Sequence, residues 1–318
     1  MMKKILITGI SGFLGSNLAM AFEGKFRVCG LSRAGSSSGA YDTARVDLTD
    51  KDSAVKHVKG EAPDVILHCA AIANVDHCER FPEEARKANV EASANIADAA
   101  LETGAKVVYI STDQVFDGTK GDYREEDETL PVNVYGKTKL DGEKAVAERS
   151  DGNIIARTNF FGWSLRKELT FAEWILDAAL TGKSVTLFRD FVFNPLFVKD
   201  LAAVMMDMLD KGLSGTFHLG SKGCMTKLGF GKRLLDVFGL EFDATAIKEG
   251  VISDVKLAAK RPADVSLNTD KIRRGLGREA PGIEEGLLGM KALLEEGYPL
   301  VKEDFRKLSK MTVKGETR

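Results

Sequence analysis

The stretch KILITGISGFLG, residues 4–15, joins a short apolar run to three glycines, and a helical pattern of apolar residues follows it to Phe22. This order predicts a β-strand, a tight glycine turn and an α-helix. Glycines let the backbone turn sharply and let a pyrophosphate approach the helix N-terminus, where free N–H groups favour negative charge. The spacing Gly9-x-x-Gly12-x-x-Gly15 is one residue wider at its first gap than the Gly-x-Gly-x-x-Gly fingerprint. The turn therefore favours a dinucleotide site over an ordinary glycine-rich connection.

The rest of the chain alternates apolar β runs with helical patterns. Further strands are predicted over residues 26–31, 64–71, 106–110, 153–157 and 216–220, and one more strand is predicted to end near residue 48. The predicted helices cover residues 82–103, 135–147, 171–180, 201–209, 230–238 and 283–294. This alternation predicts an α/β fold, a Rossmann-type doubly wound parallel sheet with a smaller C-terminal α/β substrate domain. We expect residues 1–158, together with about 195–222, to bind the dinucleotide. Residues 159–194 and 223–318 are expected to bind the substrate.

The composition is that of an ordinary soluble globular protein, with 318 residues, 44% of them hydrophobic and 29% charged. A formal net charge of -2 attracts neither nucleic-acid phosphates nor anionic lipid, so we expect a small-molecule substrate and neither of those partners. The four cysteines form no disulfide framework, and the N-terminal run reads as a strand rather than a signal peptide. Both observations predict a reducing, cytoplasmic location. The sequence leaves open whether the protein forms a homodimer.

Four residues, His68, Cys69, His77 and Cys78, raise the question of a metal cluster. Their spacing matches no zinc pattern, and two of them lie in or beside a run apolar enough to be a buried strand. We therefore expect no metal site. The small residues that follow this strand would instead let a flat cofactor lie against the backbone.

Ser32 and Arg33 follow the second predicted strand, where an NAD site usually places Asp or Glu to accept from the ribose 2′-hydroxyl. This chain has no acidic residue at that point. Arg33 could instead meet a 2′-phosphate, with Ser32 donating a hydrogen bond. We therefore predict NADP, with NADPH preferred over NADH; the alternative is an exposed loop arginine that touches nothing.

A second stretch, residues 111–139, carries the candidate catalytic residues Thr112, Tyr135 and Lys139. Tyr135 and Lys139 are four residues apart, so on a helix they lie on one face. A neighbouring ammonium stabilises a phenolate and lowers the pKa of a phenol from about 10 toward the working pH. Tyr135 could then exchange a proton with a carbonyl or alcohol oxygen that the Thr112 hydroxyl holds in place. Because Tyr-x-x-x-Lys often arises by chance, the prediction depends on the motifs around it.

Those motifs extend over nearly the whole chain. Besides the glycine turn they are Asp47-Leu48, Ala70-Ala71, Val75-Asp76, Ser111-Thr112-Asp113, Val115-Phe116, VYGKTK at residues 134–139, Arg157-Thr158, Arg261-Pro262 and Leu267-Asn268-Thr269. On these residues the chain resembles the extended short-chain dehydrogenase/reductases and, among them, the dTDP-4-dehydrorhamnose reductases. The Ser-Thr-Asp and Tyr-Gly-Lys-Thr-Lys motifs are specific, whereas many families share the glycine turn.

The resemblance implies a role for each motif. Thr112, Tyr135 and Lys139 form the catalytic trio, and Lys139 also holds the nicotinamide ribose. The implied cofactor-binding residues are Gly9, Gly12, Phe13, Leu14 and Gly15 at the pyrophosphate, Ser32 and Arg33 at the adenosine ribose, Asp47 and Leu48 at the adenine, and Ala70, Ala71, Ile72, Ala73 and Ile110 along the cofactor. The implied substrate-binding residues are Val75, Thr112, Asp113, Phe160, Trp163 and Arg261. The reductases carry a sugar-contacting Trp at the position of Phe160, and Trp163 follows three residues later.

The function that the resemblance implies is NADPH-dependent reduction of a keto-sugar, such as the nucleotide-linked 4-keto-deoxysugar dTDP-4-dehydrorhamnose. One alternative is an epimerase or dehydratase of nucleotide sugars. Dehydratases place an acidic pair after the threonine, but here the pair is Asp113-Gln114, and glutamine is neither acid nor base. The other alternative is a non-catalytic NADP-binding regulatory subunit, because the regulatory subunit of methionine adenosyltransferase resembles the same reductases. The intact trio speaks against that alternative.

Overall fold

The computed structural model describes residues 2–33, 35, 41–164, 166–243 and 245–308. The strands are β1 (Lys4–Thr8), β2 (Arg27–Ser32), β3 (Asp42–Arg45), β4 (Val65–His68), β5 (Lys106–Thr112), β6 (Ile154–Thr158), β7 (Phe160–Phe161), β8 (Val185–Phe188), β9 (Val192–Phe193), β10 (Leu196–Phe197), β11 (Gly215–Leu219), β12 (Met225–Thr226) and β13 (Ile247–Gly250). The helices are α1 (Phe13–Phe22), α2 (Lys51–Glu61), α3 (Val75–Arg80), α4 (Pro82–Arg86), α5 (Ala92–Thr103), α6 (Val134–Ala147), α7 (Phe171–Thr181), α8 (Val198–Asp210), α9 (Lys227–Val237), α10 (Asp270–Leu276), α11 (Ile283–Glu295) and α12 (Glu303–Arg306).

Seven strands form one parallel sheet in the order β11-β6-β5-β4-β1-β2-β3. The predicted α/β fold with a doubly wound parallel sheet is confirmed. Successive strands extend from β1 toward β3 on one side and from β4 toward β6 on the other. The strand order therefore reverses between β1 and β4, and ligands of open α/β sheets bind in the crevice at the carboxyl ends of the strands at such a point.

Both faces of the sheet are covered, which explains the nearly continuous apolar runs of its strands. In β1, Ile5 and Ile7 pack into one core cluster and Leu6 packs into the other, because successive side chains of a strand point to opposite faces. Helices α1 and α8 pack together, as do α2, α5 and α6. The first cluster continues into the C-terminal half of the chain through Trp163 and Phe230.

Several element boundaries differ from the sequence-based prediction. The fourth strand ends at His68, so residues 69–71 lie beyond the sheet, and the third strand ends at Arg45. Helix α9 begins at Lys227, three residues earlier than predicted, because the Thr226 hydroxyl caps it by accepting from the Gly229 N–H. The predicted cap of α2 is confirmed, since the Asp50 carboxylate accepts a hydrogen bond from the Ser53 N–H.

The helix predicted over residues 82–103 is interrupted by one turn of π-helix, Lys87–Glu91, between α4 and α5. A π turn inserts one extra residue into a helix and often accompanies functional sites. Most of the glycine- and serine-rich segment 34–40 and the end of the charged tail after Leu300 lie outside the described residues. No helix in the described ranges combines the length and apolar character needed to cross a membrane.

Candidate active site

The glycine turn after β1 packs closely against its surroundings. Gly9 has a φ of 67°, and a Cβ atom there would lie 2.9 Å from the Cα atom of Ala70, beyond the end of β4. A Cβ atom at Gly15 would lie 2.3 Å from the Gly9 carbonyl oxygen. Helix α1 begins after Gly12 without a side-chain cap. A bare turn and an uncapped helix N-terminus at the strand-order reversal fit the pyrophosphate of a dinucleotide.

The segment after β4 forms one side of this crevice. Ala71 and Ala73 are exposed and Ile72 is half-buried. Asn89 holds the segment, since its Oδ1 atom accepts from the Ile72 N–H (2.8 Å) and its amide nitrogen donates to the Ile72 carbonyl (3.1 Å). The same amide nitrogen donates to the Thr138 hydroxyl in α6 (3.0 Å). The π turn thus supplies the residue that ties the predicted cofactor surface to the helix that carries Tyr135.

His68 links the strands beneath the crevice. Its ring hydrogen-bonds the Thr8 hydroxyl (2.7 Å) and the Ser93 hydroxyl (3.0 Å). Burial lowers the pKa of His68 to about 3, so the ring is neutral. Among the described residues, no three His, Cys, Asp or Glu side chains converge in a way that could hold a metal ion.

At the carboxyl end of β2, Arg33 is exposed and Ser32 is buried. The Ser32 hydroxyl donates to the Gly35 carbonyl (3.0 Å). Hydrogen bonds from Thr49 and, as a smaller effect, the charge of Arg33 lower the pKa of the exposed Asp47 carboxyl. Arg33 and Asp47 therefore lie near each other at the predicted adenosine end of the crevice, and Leu48 beside them is buried.

Tyr135 and Thr112 are brought together by the packing of α6 on the turn after β5. Asn133 caps α6 by accepting from the Gly136 N–H (2.8 Å) and donates to the Gln114 side-chain carbonyl (3.1 Å). A Cβ atom at Gly136 would lie 2.2 Å from the Gln114 backbone oxygen, so only glycine permits this contact. The Thr112 hydroxyl then lies beside the Tyr135 phenol and acts to lower its pKa.

The predicted effect of Lys139 on Tyr135 is wrong in this structure. Burial raises the pKa of the Tyr135 phenol above its usual value and outweighs the hydrogen bond from Thr112. The Lys139 ammonium lies over the Tyr109 ring, 4.0 Å from its centroid, and no described hydrogen bond joins it to Tyr135. Burial lowers the pKa of Lys139 to about 7, while the charge of Glu143 opposes that shift.

A buried ionic network that the motifs did not predict lies behind Tyr135 and Lys139. Glu143 accepts hydrogen bonds from the Ser111 hydroxyl and from the Arg157 guanidinium, whose nearest nitrogen is 2.8 Å away. Arg157 also lies 3.5 Å from the Nε2 atom of His218 in β11. The signal for Glu143 was its position four residues after Lys139, which places both on one face of α6. The network fixes β5, β6 and α6 around Thr112.

On the predicted substrate side, Asp113 is only 1% exposed. Its two carboxylate oxygens accept from the Thr112 hydroxyl (3.0 Å) and from the Asn159 amide (2.9 Å). Burial raises the pKa of Asp113 to about 6. Arg261 forms an ion pair with Asp76 (2.9 Å), next to the half-buried Val75 at the start of α3.

The two aromatic candidates lie in different places. Phe160 is half-buried and packs against Phe13 of the glycine turn, with ring centroids 5.4 Å apart. Trp163 is fully buried, and its indole N–H donates to the Met290 carbonyl (2.8 Å). The prediction that Trp163 contacts the substrate is therefore wrong, because its ring fills the core between α9 and the C-terminal helices. Ile110 is also buried in the sheet core.

Sequence reasoning missed Lys227 altogether. The residue starts α9, and its ammonium lies over the rings of Phe191 (4.1 Å) and Phe171 (5.1 Å). Its charge and that of Asp113 attract each other, and Arg261 repels it. No local pattern indicated this position, since its four charged or aromatic partners come from distant parts of the chain.

Comparisons with known proteins agree with this geometry. The probable low-salt glycan biosynthesis reductase Agl14 of Haloferax volcanii is 31% identical over 296 residues, which cover 91% of this chain and 98% of that protein. Methionine adenosyltransferase 2 subunit beta of Pongo abelii is 34% identical over 299 residues, 90% of this chain and 87% of that subunit. The dTDP-4-dehydrorhamnose reductase of Bacillus anthracis, solved in complex with NADP, superimposes with a TM-score of 0.83 at 25% identity and covers 92% of this chain and 99% of its own.

The resemblance to extended short-chain dehydrogenase/reductases that the motifs carry is thus confirmed. A family model described as the RmlD substrate binding domain matches residues 2–295. That match includes the glycine turn, the crevice and the segment with Thr112 and Tyr135. The chain belongs to the RmlD substrate binding domain family.

Proposed function

We propose that this protein is an NADPH-dependent reductase of a keto-sugar, with a nucleotide-linked 4-keto-deoxysugar such as dTDP-4-dehydrorhamnose as the substrate class. The observation that carries the proposal is the position of the Thr112 hydroxyl beside the Tyr135 phenol at the carboxyl edge of the sheet. Residues 1–158 with about 195–222 hold the cofactor in this proposal. Residues 159–194 and 223–318 hold the sugar.

The chain's own groups suit proton transfer to a carbonyl oxygen. NADPH, when bound, supplies the hydride that adds to the carbonyl carbon. The Thr112 hydroxyl exchanges its hydrogen bond to Asp113 for one to the carbonyl oxygen, and Tyr135 gives that oxygen a proton. Because burial raises the pKa of Tyr135, the phenol stays protonated at neutral pH, which is the form that a reduction requires. Lys139, held over Tyr109, is the amine available to donate hydrogen bonds to the nicotinamide ribose.

NADP suits the crevice better than NAD. The exposed Arg33 follows β2 at the point where an acidic residue would select the ribose 2′-hydroxyl. A guanidinium there can pair with a 2′-phosphate. The reductase of Bacillus anthracis, with the same fold over 92% of this chain, was solved with NADP.

The site favours reduction over elimination. Gln114 stands where a dehydratase needs a second acid, and its side-chain carbonyl accepts a hydrogen bond from Asn133. Glutamine neither donates nor removes a proton at neutral pH. Asp113 is then the acidic residue next to Thr112, and both its oxygens already accept hydrogen bonds. We assign Asp113 to orienting a sugar hydroxyl rather than to expelling one.

A second function has one observation in its favour. Methionine adenosyltransferase 2 subunit beta of Pongo abelii shares 34% identity over 90% of this chain. A regulatory subunit of that kind would bind NADP and a catalytic partner without reducing a sugar. The two functions differ in whether any ketone is turned over.

The deciding experiment is a screen of dTDP-, UDP- and GDP-linked 4-keto sugars with NADPH, followed by the nicotinamide absorbance. We expect turnover with one of these sugars. Tyr135→Phe should lower it roughly 10²- to 10⁴-fold, because the proton donor is lost. NADPH affinity, measured by fluorescence quenching, should stay unchanged in the variant. NADPH binding without turnover of any sugar, together with binding to a methionine adenosyltransferase catalytic subunit, would establish the regulatory function instead.

A further inference from the structure

Lys227 occupies an energetically unfavourable position for a lysine. It is the first residue of α9, where the helix dipole repels a cation. Its side chain is half-buried against the rings of Phe171 and Phe191. Burial disfavours the charged form and lowers the pKa of Lys227 to about 8.

The protein does not compensate this charge with an ion pair. Within the described ranges, the Lys227 ammonium takes part in no salt bridge and no hydrogen bond, and its described contacts are the two aromatic faces. The attractive charge that acts on it is Asp113, whose two oxygens accept hydrogen bonds from Thr112 and Asn159 and form no ion pair with the ammonium. Arg261, the other cation nearby, is paired with Asp76. Lys227 therefore differs from Arg261 in having no described carboxylate partner.

The position of this unpaired cation relates it to the reaction. Asp113 follows Thr112 directly, and both lie at the carboxyl end of β5, where the keto-sugar is proposed to bind. Because the charge of Asp113 acts on Lys227, the ammonium lies in the neighbourhood of the space above Thr112. The ammonium lies over the aromatic faces of Phe171 and Phe191, so it is positioned before a ligand arrives.

We propose that Lys227 is a substrate-recognition residue whose ammonium binds an oxyanion of the substrate beside the reacting carbonyl. This inference rests on the proposed function, because it places the ligand over Thr112. The oxyanion is either the phosphate that links the sugar to its nucleotide or a carboxylate on the sugar itself. Either group would neutralise the ammonium and form the charge-assisted hydrogen bonds that it lacks in the protein.

The test compares wild-type protein, Lys227→Met, Lys227→Arg and the control Lys232→Met by titration calorimetry. Lys232 lies on the same helix but is exposed and paired with Glu249 (2.6 Å). The phosphate arm measures dTDP against thymidine, and the carboxylate arm measures UDP-glucuronate against UDP-glucose. In one arm, Lys227→Met should weaken binding of the charged probe at least about tenfold. In that arm, binding of the reference probe that lacks the oxyanion under test should show little change, as should the charged probe's binding to Lys232→Met and Lys227→Arg.

Thermal unfolding separates recognition from a structural role. Removing an unpaired, half-buried ammonium should raise the melting temperature of Lys227→Met in the absence of ligand. A lower melting temperature would overturn the proposal, even with weaker binding, because Lys227 would then support the fold. The proposal would also be overturned if wild-type protein and Lys227→Met bound dTDP equally and also bound UDP-glucuronate equally. The same holds if neither protein bound either probe.

The binding assay does not depend on turnover, so the two proposals can fail separately. Lys227-dependent binding of dTDP with no ketone reduced would refute only the reductase function. Ketone reduction with the same oxyanion affinity in wild-type protein and Lys227→Met would refute only the role of Lys227.

Discussion

The ammonium of Lys139 lies 4.0 Å from the centre of the Tyr109 ring, and the Tyr109 hydroxyl donates to the backbone carbonyl of the same lysine (3.2 Å). One buried tyrosine thus anchors both the backbone and the charge of the predicted catalytic lysine. Burial lowers the pKa of Lys139 and raises that of Tyr135. Both shifts favour the neutral forms, so the sheet and α6 hold a protonated phenol ready to donate.

The pKa of Lys139 should be visible in the pH dependence of stability. Its pKa falls from 10.5 to about 7 on folding, so between those values the unfolded chain binds the extra proton. Stability then rises with pH by up to about 1.4 kcal/mol per unit in that window. Lys139→Met removes this contribution. The variant's free energy of unfolding minus that of the wild type should therefore decrease from pH 7 to pH 9 in urea titrations. A constant difference would contradict the buried position of Lys139.

The raised pKa of Asp113, about 6, should limit substrate binding in acid. We expect the KM for the keto-sugar to rise by up to about tenfold per pH unit below pH 6, because the protonated carboxyl accepts a weaker hydrogen bond from a sugar hydroxyl than the carboxylate does. Asp113→Asn should raise the KM at pH 7 and make it independent of pH between 5 and 7. Steady-state kinetics over that range give the measurement. If the KM of Asp113→Asn still rose below pH 6, the ionisation would belong to another group.

Arg33 should select NADPH over NADH. Arg33→Ala removes the guanidinium from the end of β2, so NADPH should bind at least about tenfold more weakly while NADH affinity changes little. Arg27→Ala is the matched control, since Arg27 is an exposed arginine at the other end of the same strand. Dissociation constants for both cofactors come from fluorescence quenching. The same loss for NADH and NADPH would exclude contact with a 2′-phosphate.

Trp163 should matter for stability and not for catalysis. Trp163→Ala empties a fully buried site and removes the hydrogen bond to Met290, so we expect a loss of about 3–5 kcal/mol in the free energy of unfolding. Trp163→Phe should lose less, because most of the ring volume remains. Trp174, which is 38% exposed, provides the control Trp174→Ala. If Trp163→Phe raised the KM for the sugar without lowering the free energy of unfolding, Trp163 would have to contact the substrate, contrary to this prediction.

The glycine turn, the parallel sheet and the Tyr135 segment could be predicted because their signals are local. The turn needs glycine at Gly9 because its φ is 67°, and the start of α1 needs glycine at Gly15 because a Cβ there would meet the Gly9 carbonyl, six residues earlier. A helix after an Asn cap puts Tyr135 in its first turn. Fold class follows from the same kind of pattern, since apolar strands alternate with amphipathic helices.

The state of each side chain depends on partners that are distant in the chain, and only the tertiary structure decided it. Trp163 is buried because it meets Met290, 127 residues away. Lys139 rests on Tyr109, and Lys227 lies near Asp113 rather than on an exposed helix face. The sequence alone determined which chemical groups the protein has and which elements carry them. Their solvation, and with it their pKa values and contacts, was decided by folding, because burial depends on residues that no local pattern specifies.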